Sequence, residues 1–203
     1  MNLRARIYDR LIVPMTSGWY RHVLDHLPEH AQLLDVGIGT GSALLVHAAT
    51  LRQRHLRVTG VDIDAAYVVR CREAIARTGL EDRVEARLES VYDHRGGPYD
   101  AVYFSASFML LPDPPAALRH ILPQLAADGR VFFTQTFERR RSPLVERIKP
   151  LLKLVTTIDF GQVTYEPGFR AALAAGGLRI EEWRVLHESR RRAAVLVAAV
   201  RDV

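Results

Sequence analysis

Residues 33–44 read LLDVGIGTGSAL: Asp35 stands two residues ahead of Gly37, and Gly39 and Gly41 follow at alternate positions. Residues without side chains let a backbone turn tightly and come close to a ligand. A glycine turn needed only for packing is the plain structural alternative. The spacing separates ligand types. A dinucleotide fingerprint runs G-x-G-x-x-G so that a pyrophosphate sits on a helix N-terminus, whereas this stretch runs G-x-G-x-G. A carboxylate beside the turn would repel a pyrophosphate and favours a cation.

S-adenosylmethionine carries an ammonium and a sulfonium, and D-x-G-x-G-x-G resembles motif I of the class I S-adenosylmethionine-dependent methyltransferases of the small-molecule type. The likeness extends over residues 30–203. It implies S-adenosylmethionine as cofactor and a set of residues around it. VTGVDIDAAYV ends a strand at Asp62, where the family holds both ribose hydroxyls with a carboxylate, and Ile63 follows where an apolar residue flanks the adenine. RVEARLESVYD brings Glu89 and Ser90 to the place near the adenine amino group; glutamate departs from the family's usual aspartate. YDAVYFSASF places Ser105 and Ala106 beside the sulfonium and its methyl. Each position has a structural competitor: Asp62 as a helix N-cap (a role Asp64 suits better), Glu89 as a solvated strand-end charge, Ser105 as a turn residue.

The elements that must position these residues alternate. Short apolar strands are expected at 32–38, 57–63, 83–90, 99–107 and 130–137, with helices at 42–54, 64–79 and 114–129 between them. That alternation means βαβ units and a parallel sheet with helices on both faces. Tyr103 and Phe104 should face opposite sides of it. After a helical stretch near 143–155 and a helix over 166–177, LRIEEWRVL and AAVLVAAV are separated by so short a loop that they must run antiparallel. The expected fold is α/β: a doubly wound, seven-stranded Rossmann-like sheet, mostly parallel, closed by a C-terminal antiparallel hairpin. The chain is expected to be one methyltransferase domain, with residues 1–30 as an N-terminal helical lid segment, 31–137 as the cofactor-binding half and 138–203 as a substrate-side insert plus the hairpin.

Bulk properties bound this reading. With 203 residues, 48% hydrophobic and 25% charged, the chain suits one sizeable core. No apolar run has the length of a bilayer span and no secretory signal is visible, so the expected location is cytoplasmic. Cys71 is the only cysteine, which removes disulfides and cysteine-built metal sites. The net charge of +5 is carried almost wholly by arginine, with lysine only at Lys149 and Lys153; such a bias fits G+C-rich coding as well as an anionic partner.

In-line methyl transfer leaves little covalent chemistry for a protein, so positioning is the main demand, with a base needed only if the acceptor must lose a proton. Candidates for the substrate side are Tyr8 and Tyr20 in the N-terminal segment, Phe108 after the fourth strand, and Asp159 and Tyr165 in the insert before the sixth. His22 and His26 share a helical face but lack a third ligand, so no metal is expected; His120 and His187 are read the same way. The loop after the fourth strand reads SASF where enzymes modifying amide or base nitrogens generally carry Asn/Asp-Pro-Pro-Tyr/Phe, which argues against nucleic acid as partner. Arginines 139–141 and 190–192 should lie on the cofactor rim, which favours an anionic acceptor, a lipid head-group surface or an RNA segment, with solvated arginine-rich loops as the plain structural alternative. Two alternatives stand beside the leading reading, transfer to a small-molecule acceptor: a lipid or quinone at a membrane surface, and a non-catalytic S-adenosylmethionine-binding partner or sensor.

Overall fold

A computed structural model describes residues 16–138 and 164–202. Helix α1 (16–26) leads to β1 (Gln32–Val36), and two short helices, α2 (Ser42–Leu45) and α3 (Ala48–Gln53), precede β2 (Arg57–Asp62). Then come α4 (Ala65–Thr78), β3 (Val84–Leu88), β4 (Tyr99–Ser105), α5 (Pro114–Ile121), β5 (Leu125–Glu138), α6 (Glu166–Ala175), β6 (Leu178–Glu188) and β7 (Arg192–Arg201). The seven strands form one sheet in the order β3-β2-β1-β4-β5-β7-β6, as the α/β reading predicts. The pairs from β3 through β5 are parallel, and β7 is antiparallel to both β5 and β6.

The central strands are apolar on both faces because helices cover both. Leu33, Tyr103 and Phe132 enter one core with Tyr20, Val23, Leu24 and Leu27 of α1 and its following turn, and with Val68, Cys71 and Ile75 of α4. Their sequence neighbours Leu34, Phe104 and Phe133 enter the other, with Leu118 and Ile121 of α5 and Phe169 and Leu173 of α6. Tyr103 and Phe104 thus face opposite ways, as strand alternation requires. Helix α1 is built into the first core; each of its fully buried Val and Leu side chains stabilises that docking by about 1.5–3 kcal/mol.

Local chemistry sets the helix ends. The Asp64 carboxylate accepts from the backbone N–H groups of Ala66 and Tyr67 (2.8 and 3.2 Å), and Gly79 closes α4 in the left-handed conformation at φ 60°. Two expectations are corrected. The helix expected over 42–54 is broken at Val46–His47, where His47 leaves helical geometry and its Nε2 meets the Ser17 carbonyl at 2.7 Å. The helix expected to reach residue 129 stops at Ile121: Pro123 follows in a single 3₁₀ turn, and Leu125 already pairs with Tyr99. Residues 126–129 then loop out before Arg130 pairs with Ala101.

Candidate cofactor site

The carboxyl ends of β1, β2, β3 and β4 meet at the glycine turn. Gly37 donates its N–H to the Val61 carbonyl (2.8 Å), which ties the turn to β2. All three motif glycines have positive φ, a region that side chains disfavour, yet their surroundings differ. A Cβ on Gly41 would stand 2.6 Å from Cys71 Sγ, and one on Gly37 2.8 Å from Ser107 Cβ. A Cβ on Gly39 would meet nothing within 4 Å. Two of the glycines therefore permit close packing, and Gly39 presents uncovered backbone. Gly60, inside β2, is a third packing glycine: its Cβ would fall 2.3 Å from Ile38 Cδ1. A glycine in mid-strand was the signal for such a close approach.

Two carboxylates flank the turn. Asp62 is held by two backbone amides: Gly39 N–H donates to Oδ2 and Asp64 N–H to Oδ1, both at 2.9 Å. Asp64 is the N-cap of α4, so Asp62 is not needed for capping. Asp35 is wholly buried, with Tyr20 donating its hydroxyl to Oδ2 at 2.7 Å, while Oδ1 is a buried oxygen without a hydrogen-bond partner. Burial pushes its carboxyl up to about 7; the Tyr20 hydrogen bond opposes that rise and the Asp62 charge adds to it. Burial, followed by the nearby Asp35 and Asp62 charges, holds the Cys71 thiol up at about 12, so it serves as an inert packing group under Gly41.

On the far side of Asp62, Ile63 is 79% exposed and Leu88 54% exposed at the ends of β2 and β3, an apolar pair open to a ring. Glu89 follows; its Oε2 lies 3.0 Å from Nδ1 of His94. Ser90 starts a turn: its carbonyl accepts from Asp93 and His94, and its Oγ accepts from Tyr92 N–H. At the end of β4, Ser105 is half-buried and Ala106 takes a left-handed φ of 56°. Ser107, which the sequence did not single out, donates its hydroxyl to the Val36 carbonyl beside Gly37.

The structure separates the substrate-side candidates. Tyr20 is buried edge-on against Tyr103, with centroids 4.9 Å apart, and spends its hydroxyl on Asp35. Phe108 is 1% exposed in an aromatic cluster with Phe104, Phe133 and Phe169. Tyr165 is half-buried at the N-terminus of α6. Tyr8, Asp159 and arginines 139–141 lie outside the described residues. His26 meets Glu182 (3.1 Å) and the His22 carbonyl (2.6 Å), and His120 meets the His94 carbonyl (2.8 Å). Among the described residues no three His, Cys, Asp or Glu side chains cluster to hold a metal, and no helix is long and apolar enough to cross a membrane.

The family model for the methyltransferase domain matches residues 34–131, from the middle of β1 into β5. The chain is 25% identical over 188 residues to phosphatidylethanolamine N-methyltransferase of Cereibacter sphaeroides, covering 86% of this chain and 90% of the relative. These two matches support an S-adenosylmethionine-dependent methyltransferase. Among solved structures, the methyltransferase is similar to geranyl diphosphate C-methyltransferase from Streptomyces coelicolor A3(2), seen with Mg²⁺, geranyl diphosphate and S-adenosyl-L-homocysteine. That likeness has a TM-score of 0.73 at 18% identity, over 93% of this chain and 80% of the other. It is also similar to the [4+2]-cyclase SpnF, with a TM-score of 0.75 at 17% identity, over 92% of this chain and 82% of the other. At such identities these two likenesses speak for the fold. The methyltransferase takes S-adenosylmethionine as its cofactor.

Proposed function

We propose that the glycine turn seats S-adenosylmethionine with its ammonium toward Asp35, its ribose on Asp62 and its adenine between Ile63, Leu88 and Glu89. The unpartnered Oδ1 of Asp35 carries this reading: a buried, acceptor-only oxygen calls for a cationic N–H donor. Asp62 is pre-set by Gly39 and Asp64, so its oxygens are aimed before any ligand arrives, which lowers the ordering cost of binding. Gly39 leaves the backbone beside it clear. Ser105 and Ser90 border the seat. Bound S-adenosylmethionine supplies a methyl on a sulfonium leaving group; the protein's part is to align donor and acceptor and to keep water away.

The acceptor we propose is a small molecule bearing an anionic group, drawn to arginines on the carboxyl-end rim. Arg190 and Arg191 are exposed in the turn between β6 and β7, and the pairing of Glu138 with Arg192 sets that turn at the carboxyl end of β5. Arg192 itself is engaged by Glu138 at 2.6 Å. A second reading, an acceptor presented by a membrane surface, rests on the 25% likeness to phosphatidylethanolamine N-methyltransferase over 86% of this chain. Both readings share an acceptor bearing an anionic group, here probed with phosphate esters, and presentation separates them.

The test supplies purified protein with S-adenosylmethionine labelled in its methyl group and offers phosphate-bearing acceptors free in solution or in anionic vesicles. Label in the dissolved acceptors supports the first reading, and label only in vesicle lipid supports the second. Binding of the nucleoside without transfer to any fraction of a cell extract would overturn both.

A further inference from the structure

His94 is wholly buried, at 0% exposure, in the loop between β3 and β4, and both ring nitrogens are engaged. Nδ1 lies 3.0 Å from Glu89 Oε2, and Nε2 lies 2.9 Å from the hydroxyl of Tyr99, itself a buried residue at the first position of β4. The loop backbone is clamped from the α5 side. Gln124 donates its amide N–H to the His94 carbonyl (3.1 Å) and accepts from the Gly96 N–H (2.8 Å). A neutral imidazole with its proton on Nδ1 satisfies every member: Nδ1–H donates to Glu89, and Nε2 accepts the Tyr99 O–H. Glu89 Oε2 is thereby committed. Its Oε1 has no hydrogen-bond partner among the described residues, and the side chain, 27% exposed, stands at the strand end beside Leu88 and near Ile63.

We infer that His94 is a positioning residue that turns Glu89 into a reader of the adenine 6-amino group, with Tyr99 setting the imidazole tautomer. The inference rests on the cofactor seat proposed above. A glutamate at a strand end has three free torsions, and its carboxylate is diffusely aimed unless something fixes one oxygen. The buried imidazole fixes Oε2, so Oε1 has a defined direction. An acceptor-only oxygen there takes an N–H from an exocyclic amine and repels an exocyclic carbonyl. The site therefore selects an adenine nucleoside over a hypoxanthine one. This explains how glutamate can stand where one methylene fewer would suffice.

The experiment measures, by calorimetry, affinities for S-adenosylhomocysteine and for its inosine analogue, which carries a 6-oxo group. Variants are Glu89→Ala, the double variant His94→Phe with Tyr99→Phe, which leaves no buried hydroxyl stranded, and His94→Asn, whose amide N–H stands near the place of Nδ1. The preference for the adenine compound should narrow about tenfold in Glu89→Ala, narrow to a similar extent in the double variant and persist in His94→Asn. An unchanged preference in a folded double variant, with Glu89→Ala narrowed, would overturn the role of His94 and leave the seat standing. An unchanged preference in Glu89→Ala would overturn the inference at its root, and failure of the wild-type protein to bind S-adenosylhomocysteine would overturn the seat as well. If the double variant does not fold, His94→Leu takes its place: a narrowed preference supports the positioning role and an unchanged one refutes it.

Discussion

At the scale of single residues, Asp35 must be stable enough buried to hold Tyr20 and yet ionised when a cation sits against it. Its carboxyl titrates near 7 in place of the ordinary 3.8, chiefly through burial. Between those values the folded protein therefore holds a proton that the unfolded chain has released. By linkage this group's stabilisation of the fold is complete below about pH 4 and is lost as pH rises through about 7. A cationic ligand favours the ionised form, so the linkage for binding has the opposite sign. Affinity for S-adenosylhomocysteine should rise up to about tenfold per pH unit toward 7 and level off above it, with a proton released on binding below 7. Tyr20→Phe removes the donor that favours the carboxylate and should move the midpoint upward. Calorimetry between pH 5.5 and 8.5 in buffers of different ionisation enthalpy measures both. Affinity that does not vary with pH would mean Asp35 takes no part. Tyr103 and Cys71 also border the pair, and burial holds both above their ordinary values, so they stay neutral across this range.

At the scale of elements, the glycine turn and α4 are one packing unit because Gly41 lies against Cys71. Gly41→Ala should cost about 2–4 kcal/mol, part from positive φ and part from the collision with sulfur. Adding Cys71→Ala should recover the collision and leave about 1–2 kcal/mol of backbone strain. Urea unfolding of the two single variants and the double reads this coupling, and strictly additive costs would show that the two residues do not interact. The sequence carried clear signals for the strands, since runs such as QLLDV and AVYF are apolar on both faces, and for α4, since Asp64 and Gly79 bracket it. It hid the end of α5 because the apolar periodicity of PPAALRHILPQLAA continues through Pro123, and only pairing with Tyr99 shows where the strand begins. The meeting of Asp35, Gly39 and Asp62 at one strand-end turn was legible because it follows from local spacing. The Tyr20 contact to Asp35 and the His94 contact to Tyr99 were not: each depends on where side chains meet after the sheet has formed.

At the scale of the molecule, the sheet gathers every motif residue at the carboxyl ends of its strands, the side on which open α/β sheets bind ligands. The turn holding Arg190 and Arg191 shares that side. Replacing both with glutamine should raise the KM for an anionic acceptor several-fold and flatten its salt dependence, with the KM for S-adenosylmethionine unchanged. Equal effects on both substrates would mean the arginines act on the fold instead.

The position of β7 has a kinetic consequence. It is the last strand in the described chain and yet lies inside the sheet, so β6 has no other strand to bond with. β6 therefore joins the sheet only through β7: the two strands form a hairpin that is local in sequence, and its docking against β5 is the long-range, slower step that completes the sheet.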